Sequence, residues 1–329
     1  MRGLCAILLL TVLAEVCAFG QEQRVEFTSQ NGLNVISLDW SGGSMRWAVS
    51  RAGEEVIAPS RLAMTTDRGV WGENVGRVAV ERKREHGRDV GVVLRPEGEE
   101  YGVEIRAYDD GVAYRFISYA AGEYRVVDEL AEFALCGDDM AWIPYVNFRP
   151  DATSDYATQF ETSFENLYAY TPIKSIDWRR LIFAPIYVER GDVKLWISEA
   201  NLEDYPGMFL SNRDQDALLD TEFAPLPDVV EQGGYNMLQG MVRSRKPYIA
   251  ECSGERTFPW RVVAMGDSDC EIANSDLVWR LADECRIADT SWIKPGKVAW
   301  EWWNDWNITG VDFKAGVNND TYKYYIDFA

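Results

Sequence analysis

Short segments of alternating apolar and polar residues, separated by turn residues, dominate the chain from about residue 23 to 270. Residues 34–40 and 44–50 flank a turn at Gly42 and Gly43, and this arrangement predicts a β-hairpin. Comparable segments recur roughly every 8–12 residues, which is the rhythm of a β-sandwich or β-barrel. No clear helical pattern interrupts them, so the sequence predicts a mainly β fold.

Two segments depart from this rhythm. Residues 81–89 (E-R-K-R-E-H-G-R-D) are charged and predict a solvated strand end rather than a binding patch. Residues 155–173 are polar and aromatic without clean periodicity. An aromatic loop on a rigid sandwich can line a carbohydrate or ligand groove, or it can pack against a neighbouring domain. The sequence favours neither interpretation of this second segment.

Charge and histidine content exclude several classes of function. The 329 residues carry 33 Lys and Arg against 53 Asp and Glu, which gives a net charge of −20. Such a charge repels phosphate backbones, so a nucleic-acid partner is not expected. The single histidine, His86, excludes zinc sites with two or three histidines and argues against a Ser-His-Asp triad. Catalysis would therefore use carboxylates, tyrosines, lysines or a metal bound through oxygen.

The N-terminal residues have the pattern of a secretory signal peptide. Arg2 supplies a positive start, residues 4–13 are apolar, and small residues precede a cleavage position after Gly20. A lipid anchor at Cys17 is less favoured because the residue before it is bulky. We predict a signal peptide over residues 1–20 and a periplasmic or secreted product. No later apolar stretch is long enough for a membrane span.

Four cysteines remain after the predicted cleavage. Their spacing contains no C-x-x-C pair, so neither a zinc site nor a redox motif is expected. An oxidising compartment permits disulfides, whereas a chain of this length can bury an adequate core without them. Their pairing therefore stays open for Cys136, Cys252, Cys270 and Cys285.

The character of the sequence changes near residue 274. Asn274 or Ser275 can cap a helix, and apolar residues at helical spacing extend from Leu277 to Cys285. Residues 297–302 then predict a strand. The residues that follow predict a second helix, which starts near Tyr322 and which the chain end interrupts.

A helix, a strand and the start of another helix are typical of the entry to an α/β domain. A single βα unit cannot bury its own surface. We therefore expect the chain to be truncated inside such a domain.

Two sequence blocks carry a resemblance to a known family. The first block consists of residues 294–307 (K-P-G-K-V-A-W-E-W-W-N-D-W-N) followed by residues 310–329 (G-V-D-F-K-A-G-V-N-N-D-T-Y-K-Y-Y-I-D-F-A), and it closely resembles glycoside hydrolase family 97. Residues 196–210 (W-I-S-E-A-N-L-E-D-Y-P-G-M-F-L) look like a second block of that family. The resemblance implies an N-terminal β-super-sandwich over residues 21–273. Residues 274–329 would be a linker helix followed by the first strand and helix start of a truncated catalytic (β/α)₈ barrel.

The resemblance implies a secreted glycosidase that cleaves α-linked oligosaccharides through carboxylate chemistry. The catalytic carboxylates are expected beyond residue 329, so the chain is predicted to be inactive alone. The choices between glucoside and galactoside, and between inversion and retention, stay open. One competing hypothesis is a stand-alone carbohydrate-binding or mutarotase-like sandwich, and a weaker one is a structural β-protein. The chain ends with a predicted strand, half a helix and clustered tryptophans, and such an end disfavours both of these competing hypotheses.

The resemblance also implies a calcium site. Family members hold Ca²⁺ beside the active site with one glutamate from the sandwich, and Glu199 in I-S-E-A-N-L matches that position. A carboxylate at a strand end is a suitable hard oxygen ligand for Ca²⁺. Glu203 and Asp204 are rival candidates. Because one ligand cannot hold the ion, the chain alone is expected to bind calcium weakly or not at all.

A second predicted site lies at the end of the expected first barrel strand, where (β/α)₈ barrels place functional residues. Aromatic faces suit sugar rings, and amide and carboxylate groups bond hydroxyls. Trp303 and Asn304 are favoured as the sugar-facing pair, because alternation places Trp300 and Trp302 on the other face. The predicted substrate-binding residues are Trp302, Trp303, Asn304 and Asp305. Residues that could also reach the rim are Asn318, Asn319 and Asp320, although helix capping would explain Asp320.

Overall fold

A computed structural model describes residues 23–147, 155–161, 164–234, 237–296 and 306–328. They divide into two compact units between Asp283 and Glu284. The predicted signal peptide, the predicted strand at 297–302 and the predicted sugar-binding residues Trp302, Trp303, Asn304 and Asp305 lie outside the described residues. Within the described part, no helix is long and apolar enough to cross a bilayer.

The first unit consists almost entirely of short antiparallel strands. In chain order its elements are β1 (Arg24–Thr28), β2 (Asn34–Asp39), β3 (Arg46–Arg51), β4 (Glu54–Thr66), β5 (Gly69–Trp71), β6 (Val78–Glu85), β7 (Arg88–Pro96), β8 (Tyr101–Tyr108), β9 (Gly111–Ser118), β10 (Glu123–Ala131), β11 (Phe133–Ala134), β12 (Met140–Ile143), β13 (Ala169–Pro172), β14 (Ile182–Phe183), β15 (Ile186–Arg190), β16 (Val193–Ala200), β17 (Met208–Ser211), β18 (Leu218–Phe223), β19 (Pro227–Gly233), β20 (Gln239–Arg245), β21 (Ala250–Ser253), β22 (Arg256–Thr257), β23 (Trp260–Gly266), α1 (Asp269–Ala273) and α2 (Leu277–Leu281). Single-turn 3₁₀ helices span Tyr156–Thr158 and Ile173–Ser175.

These strands form two large sheets and one separate hairpin. The first sheet has 11 strands, eight of them in the order β1-β2-β3-β4-β11-β18-β17-β14. In addition, β5 and β10 pair with β4, and β21 pairs with β10. The second has 10 strands in the order β13-β12-β15-β16-β23-β9-β8-β7-β6, with β22 on β9. β19 and β20 pair only with each other. In the centre of the second sheet, β23 lies between β16 and β9.

The two sheets pack face to face around one large apolar core. Trp47 on the first sheet contacts Tyr114 on the second, with ring centroids 4.9 Å apart, and Phe133 on its own sheet at 5.4 Å. Alternation along β3 turns Trp47 and Val49 inward, as a half-buried strand requires. The predicted mainly β sandwich is therefore confirmed.

The outer face of the second sheet is covered in part by the two short helices. Leu277 and Leu281 of α2 belong to a buried cluster with Trp260 and Val262 of β23. Gly111 permits this packing, because a Cβ atom there would lie 2.6 Å from Leu277 Cδ2. The centre of the second sheet is therefore buried on both faces.

Several local predictions are confirmed. β2 and β3 form the predicted hairpin, with Gly43 in the left-handed region at φ 84°. The charged segment 81–89 forms the mostly exposed end of β6 and the turn into β7, with His86 at φ 49°. The sequence left the cysteine pairing open, and in the structure the four cysteines remaining after the predicted cleavage are free thiols, of which only Cys252 is buried.

The helix predictions need correction at their ends. The predicted helical face extends to Cys285, but α2 stops at Leu281 because Ala282 is extended (φ −71°, ψ 151°), and Cys285 is exposed. The sequence prediction also missed α1, which Ser268 caps by accepting a hydrogen bond from the Glu271 N–H.

The second unit contains one described helix, α3 (Asn319–Phe328). It begins earlier than predicted because Asn318 Oδ1 accepts a hydrogen bond from the Thr321 N–H, at 3.0 Å. Asn318 is therefore the capping residue, while Asn319 and Asp320 lie in the first turn.

Candidate functional site

Glu199 lies one residue before the end of β16, beside the start of β17. Its two carboxylate oxygens accept hydrogen bonds from the Met208 N–H at 3.0 and 3.2 Å. The side chain is mostly buried. A backbone donor therefore holds the carboxylate in place where the chain enters the next strand.

Arg261 of β23 lies directly behind this carboxylate and is fully buried. Its Nη1 donates to Glu199 Oε2 at 2.8 Å. Its Nε and Nη2 donate to the two carboxylate oxygens of Glu129 on β10, at 2.8 and 2.7 Å. The Tyr205 hydroxyl donates to Glu129 Oε2 at 2.8 Å. One guanidinium thus bridges two carboxylates that arrive from different sheets.

Burial controls the electrostatics of this network. It raises the pKa of Glu199, while the charge of Arg261 and the Met208 N–H oppose the rise. Burial alone would lower the pKa of Arg261, but the adjacent Glu129 and Glu199 outweigh it and raise that pKa. Burial and the Glu129 charge hold the pKa of Tyr205 well above its usual value. With two carboxylates and one guanidinium, the network carries one excess negative charge when both acids are ionised.

The loop after β16 forms one wall of an open cavity of about 820 Å³. Asn201 and Asp204 adopt left-handed backbone conformations, at φ 57° and 46°. Asn201 Oδ1 accepts a hydrogen bond from the Asp283 N–H at 3.0 Å, and Arg256 Nη2 donates to the Glu203 carbonyl at 2.8 Å. The two rival calcium candidates, Glu203 and Asp204, therefore line the cavity.

The described residues do not complete a calcium site by themselves. Glu199 offers the oxygen chemistry that Ca²⁺ prefers, but both of its oxygens already accept hydrogen bonds. Among the residues that the structure describes, no group of three or more His, Cys, Asp or Glu side chains could hold a metal ion. A calcium role for Glu199 therefore stays a prediction that requires further ligands.

The sequence prediction missed the buried partners of Glu199. Arg261 interrupts the otherwise apolar run W-R-V-V-A-M of β23 at a position that faces the sandwich interior. A lone charge at an inward-facing strand position predicts a buried ion pair, because an unpaired charge there is too costly. That signal was present in the sequence, although the identity of the partner was not.

Comparison with known proteins agrees with this architecture. The family model for the glycosyl-hydrolase 97 N-terminal domain matches residues 27–283. The chain is 39% identical to a retaining α-galactosidase of Bacteroides thetaiotaomicron over 97% of this chain and 50% of that protein. It is 28% identical to a probable retaining α-galactosidase of Streptomyces bingchenggensis over 89% of this chain and 42% of that protein.

Solved structures support the fold. A glycoside hydrolase family 97 enzyme from Pseudoalteromonas sp. strain K8, in complex with acarbose, superposes with a TM-score of 0.67 at 22% identity. The match covers 92% of this chain and 45% of that one. The chain spans about half the length of the relatives it matches. With the family model matched over most of its residues, the chain belongs to glycoside hydrolase family 97 and carries the N-terminal domain of that family.

Proposed function

We propose that this chain is the N-terminal portion of a secreted, retaining α-galactosidase. The observation that carries the proposal is its 39% identity, across 97% of its residues, to a retaining α-galactosidase. The family membership also favours a glycosidase over a purely structural β-protein.

Retaining hydrolysis uses two carboxyl groups roughly 5–5.5 Å apart, one as nucleophile and one as acid and then base. In this chain, Arg261 holds both Glu129 and Glu199 in ion pairs. Neither carboxylate is therefore placed to attack a sugar. We expect the catalytic pair in the remainder of the enzyme, and this chain alone to be inactive.

Within the intact enzyme, the proposed role of Glu199 is to present one carboxylate oxygen to a calcium ion. Bound calcium would neutralise negative charge beside the substrate. Arg261 and the Met208 N–H would hold that carboxylate in one orientation. Its location at the end of β16, with part of its surface exposed, supports this role.

The test compares the full-length enzyme with this chain on p-nitrophenyl α-galactoside and p-nitrophenyl α-glucoside. We expect turnover of the galactoside by the full-length enzyme, with the α-anomer of galactose formed first in NMR spectra, and no turnover by this chain. Preference for the glucoside, or initial release of the β-anomer, would contradict the assignment.

Calcium dependence is measured in the same assay. A chelator should lower the activity of the full-length enzyme, and Glu199→Gln should raise the calcium concentration needed to restore it. Glu251→Gln is the matched control, since it alters another cavity-lining glutamate that is not a candidate ligand. A larger calcium requirement in Glu203→Gln than in Glu199→Gln would assign the ligand to the rival candidate instead. An unchanged calcium requirement in Glu199→Gln would remove Glu199 from the metal site.

A further inference from the structure

Four aromatic side chains lie in register across neighbouring strands of the second sheet. Tyr170 of β13 is opposite Trp142 of β12, Trp142 is opposite Tyr187 of β15, and Tyr187 is opposite Trp196 of β16. Directly opposed residues in antiparallel strands point to the same face of a sheet. We call these four residues the aromatic row.

The aromatic row occupies the outer face of the sheet. Trp196 packs against the cluster that includes α2, and Glu199, three residues further along β16, points to the opposite face. The Tyr187 hydroxyl donates to Asp269 of α1. One end of the row is therefore covered by the short helices.

The other end of the row is open. Trp142 is 41% exposed and Tyr170 is 49% exposed. Their ring centroids are 4.7 Å apart and their planes are inclined by 35°. The two rings therefore form one continuous, slightly angled aromatic surface at the edge of the sheet.

An acceptor group adjoins this surface and fixes one ring. The Tyr170 hydroxyl donates to Glu189 Oε2 at 2.7 Å, and Glu189 points to the same face of β15 as Tyr187. An ionised carboxylate has about four acceptor positions, so Glu189 can accept further donors while it holds Tyr170. The surface thus combines ordered rings with an acceptor at their margin.

We propose that Trp142, Tyr170 and Glu189 bind a pyranose unit of an α-linked oligosaccharide. The axial C–H groups of a pyranose ring pack against aromatic faces, and its hydroxyls supply the donors that Glu189 accepts. An aliphatic protein surface would cover the rings but leave the Glu189 carboxylate desolvated with no donor beyond the Tyr170 hydroxyl, which is unfavourable. The choice of an α-linked ligand rests on the proposed function.

This site gives a role to the aromatic segment 155–173, whose purpose the sequence leaves open. Tyr170 belongs to that segment, and β13 places it beside Trp142. The site requires no metal and no residue of the network around Glu199. It can therefore be tested without catalysis.

The experiment is affinity electrophoresis of this chain in gels containing galactomannan, which displays α-galactosyl side chains, followed by calorimetric titration with raffinose. Trp142→Ala should weaken binding at least about tenfold, which corresponds to about 1.4 kcal/mol. Tyr170→Phe keeps the ring and removes its bond to Glu189, so we expect a smaller loss. Trp279→Ala is the control, because Trp279 is 82% exposed on α2, outside the row.

Retardation of the chain that Trp142→Ala abolishes and Trp279→Ala preserves would support the site, provided that circular dichroism and melting temperature stay unchanged. Failure of the wild-type chain to bind either glycan would overturn it, as would equal losses in both tryptophan variants. Binding by this chain but not by the full-length enzyme would also overturn it, since a neighbouring domain would then cover the rings. Hydrolysis of the aryl α-galactoside by an enzyme whose isolated chain binds no glycan would refute this inference alone.

Discussion

At the residue scale, Arg261 joins the two sheets through charge rather than through apolar contact. Its guanidinium binds Glu129 of the first sheet on one side and Glu199 of its own sheet on the other. Such a buried pair adds little net stability compared with apolar packing, because both charges lose their hydration. Its effect is to fix the position of two carboxylates that would otherwise be unacceptable inside a core.

Removing the guanidinium should therefore be far more damaging than removing a surface partner. We expect Arg261→Met to lower the free energy of unfolding by about 3–5 kcal/mol, because Glu129 is left buried without its counter-ion. Arg24→Met breaks the exposed ion pair with Glu26 and should change the free energy of unfolding by less than about 0.5 kcal/mol.

Urea titration of both variants, followed by circular dichroism, measures this difference. Equal stabilities would mean that Glu129 takes up a proton or water at little cost. The double variant Arg261→Met with Glu129→Leu should recover much of the loss, because it removes the orphaned charge.

At the element scale, the hairpins and the mainly β class were predictable because period-two alternation and turn residues are local signals. The choice of a sandwich over a barrel came from the family resemblance. α1 was missed, and α2 was predicted but was given too late an end. α1 has five residues, too few to show a helical period by themselves, and packing beside β23 stabilises both short helices. The extended conformation of Ala282 ends α2 inside a pattern whose apolar spacing continues to Cys285.

β7 and β8 approach each other closely at Gly91. A Cβ atom on Gly91 would lie 2.0 Å from the Ile105 carbonyl oxygen, so Gly91→Ala should force the strands apart and cost about 1–3 kcal/mol. Gly42→Ala is the matched control, because nothing lies within 4 Å of its Cβ position. Thermal unfolding should show a lower midpoint for the first variant only. Similar midpoints would show that β7 shifts without penalty.

At the scale of the whole molecule, sequence motifs identified the family. Long runs of specific residues can be recognised, whereas overall composition is shared by many unrelated proteins and carries little information. The motif also pointed to Glu199, but the contacts of its carboxylate depend on Arg261 and Glu129, which are distant in sequence. Pairings of that kind follow from sheet topology, and local pattern does not encode them. The aromatic row was hidden for the same reason, since its members come from four strands.

We predict that the whole molecule is exported and cleaved after Gly20. Expression of the full sequence in a bacterial host should yield a periplasmic or secreted product that begins at Gln21. Intact-mass spectrometry and N-terminal sequencing would establish this. A Gly20→Tyr variant should accumulate uncleaved, because the peptidase accepts only small residues there. A product that retains Met1, or carries lipid at Cys17, would contradict the assignment.

The central position of β23 has a consequence for biogenesis. β9 is made early, yet it pairs with β23 near the end of the domain, through partners such as Tyr114 and Arg261. Contacts that close so long a loop form slowly. β9 and the strands beyond it therefore lack β23 as a neighbour until synthesis has passed Gly266. The second sheet is thus completed late, and the predicted export would act on a chain in which β9 still lacks this partner.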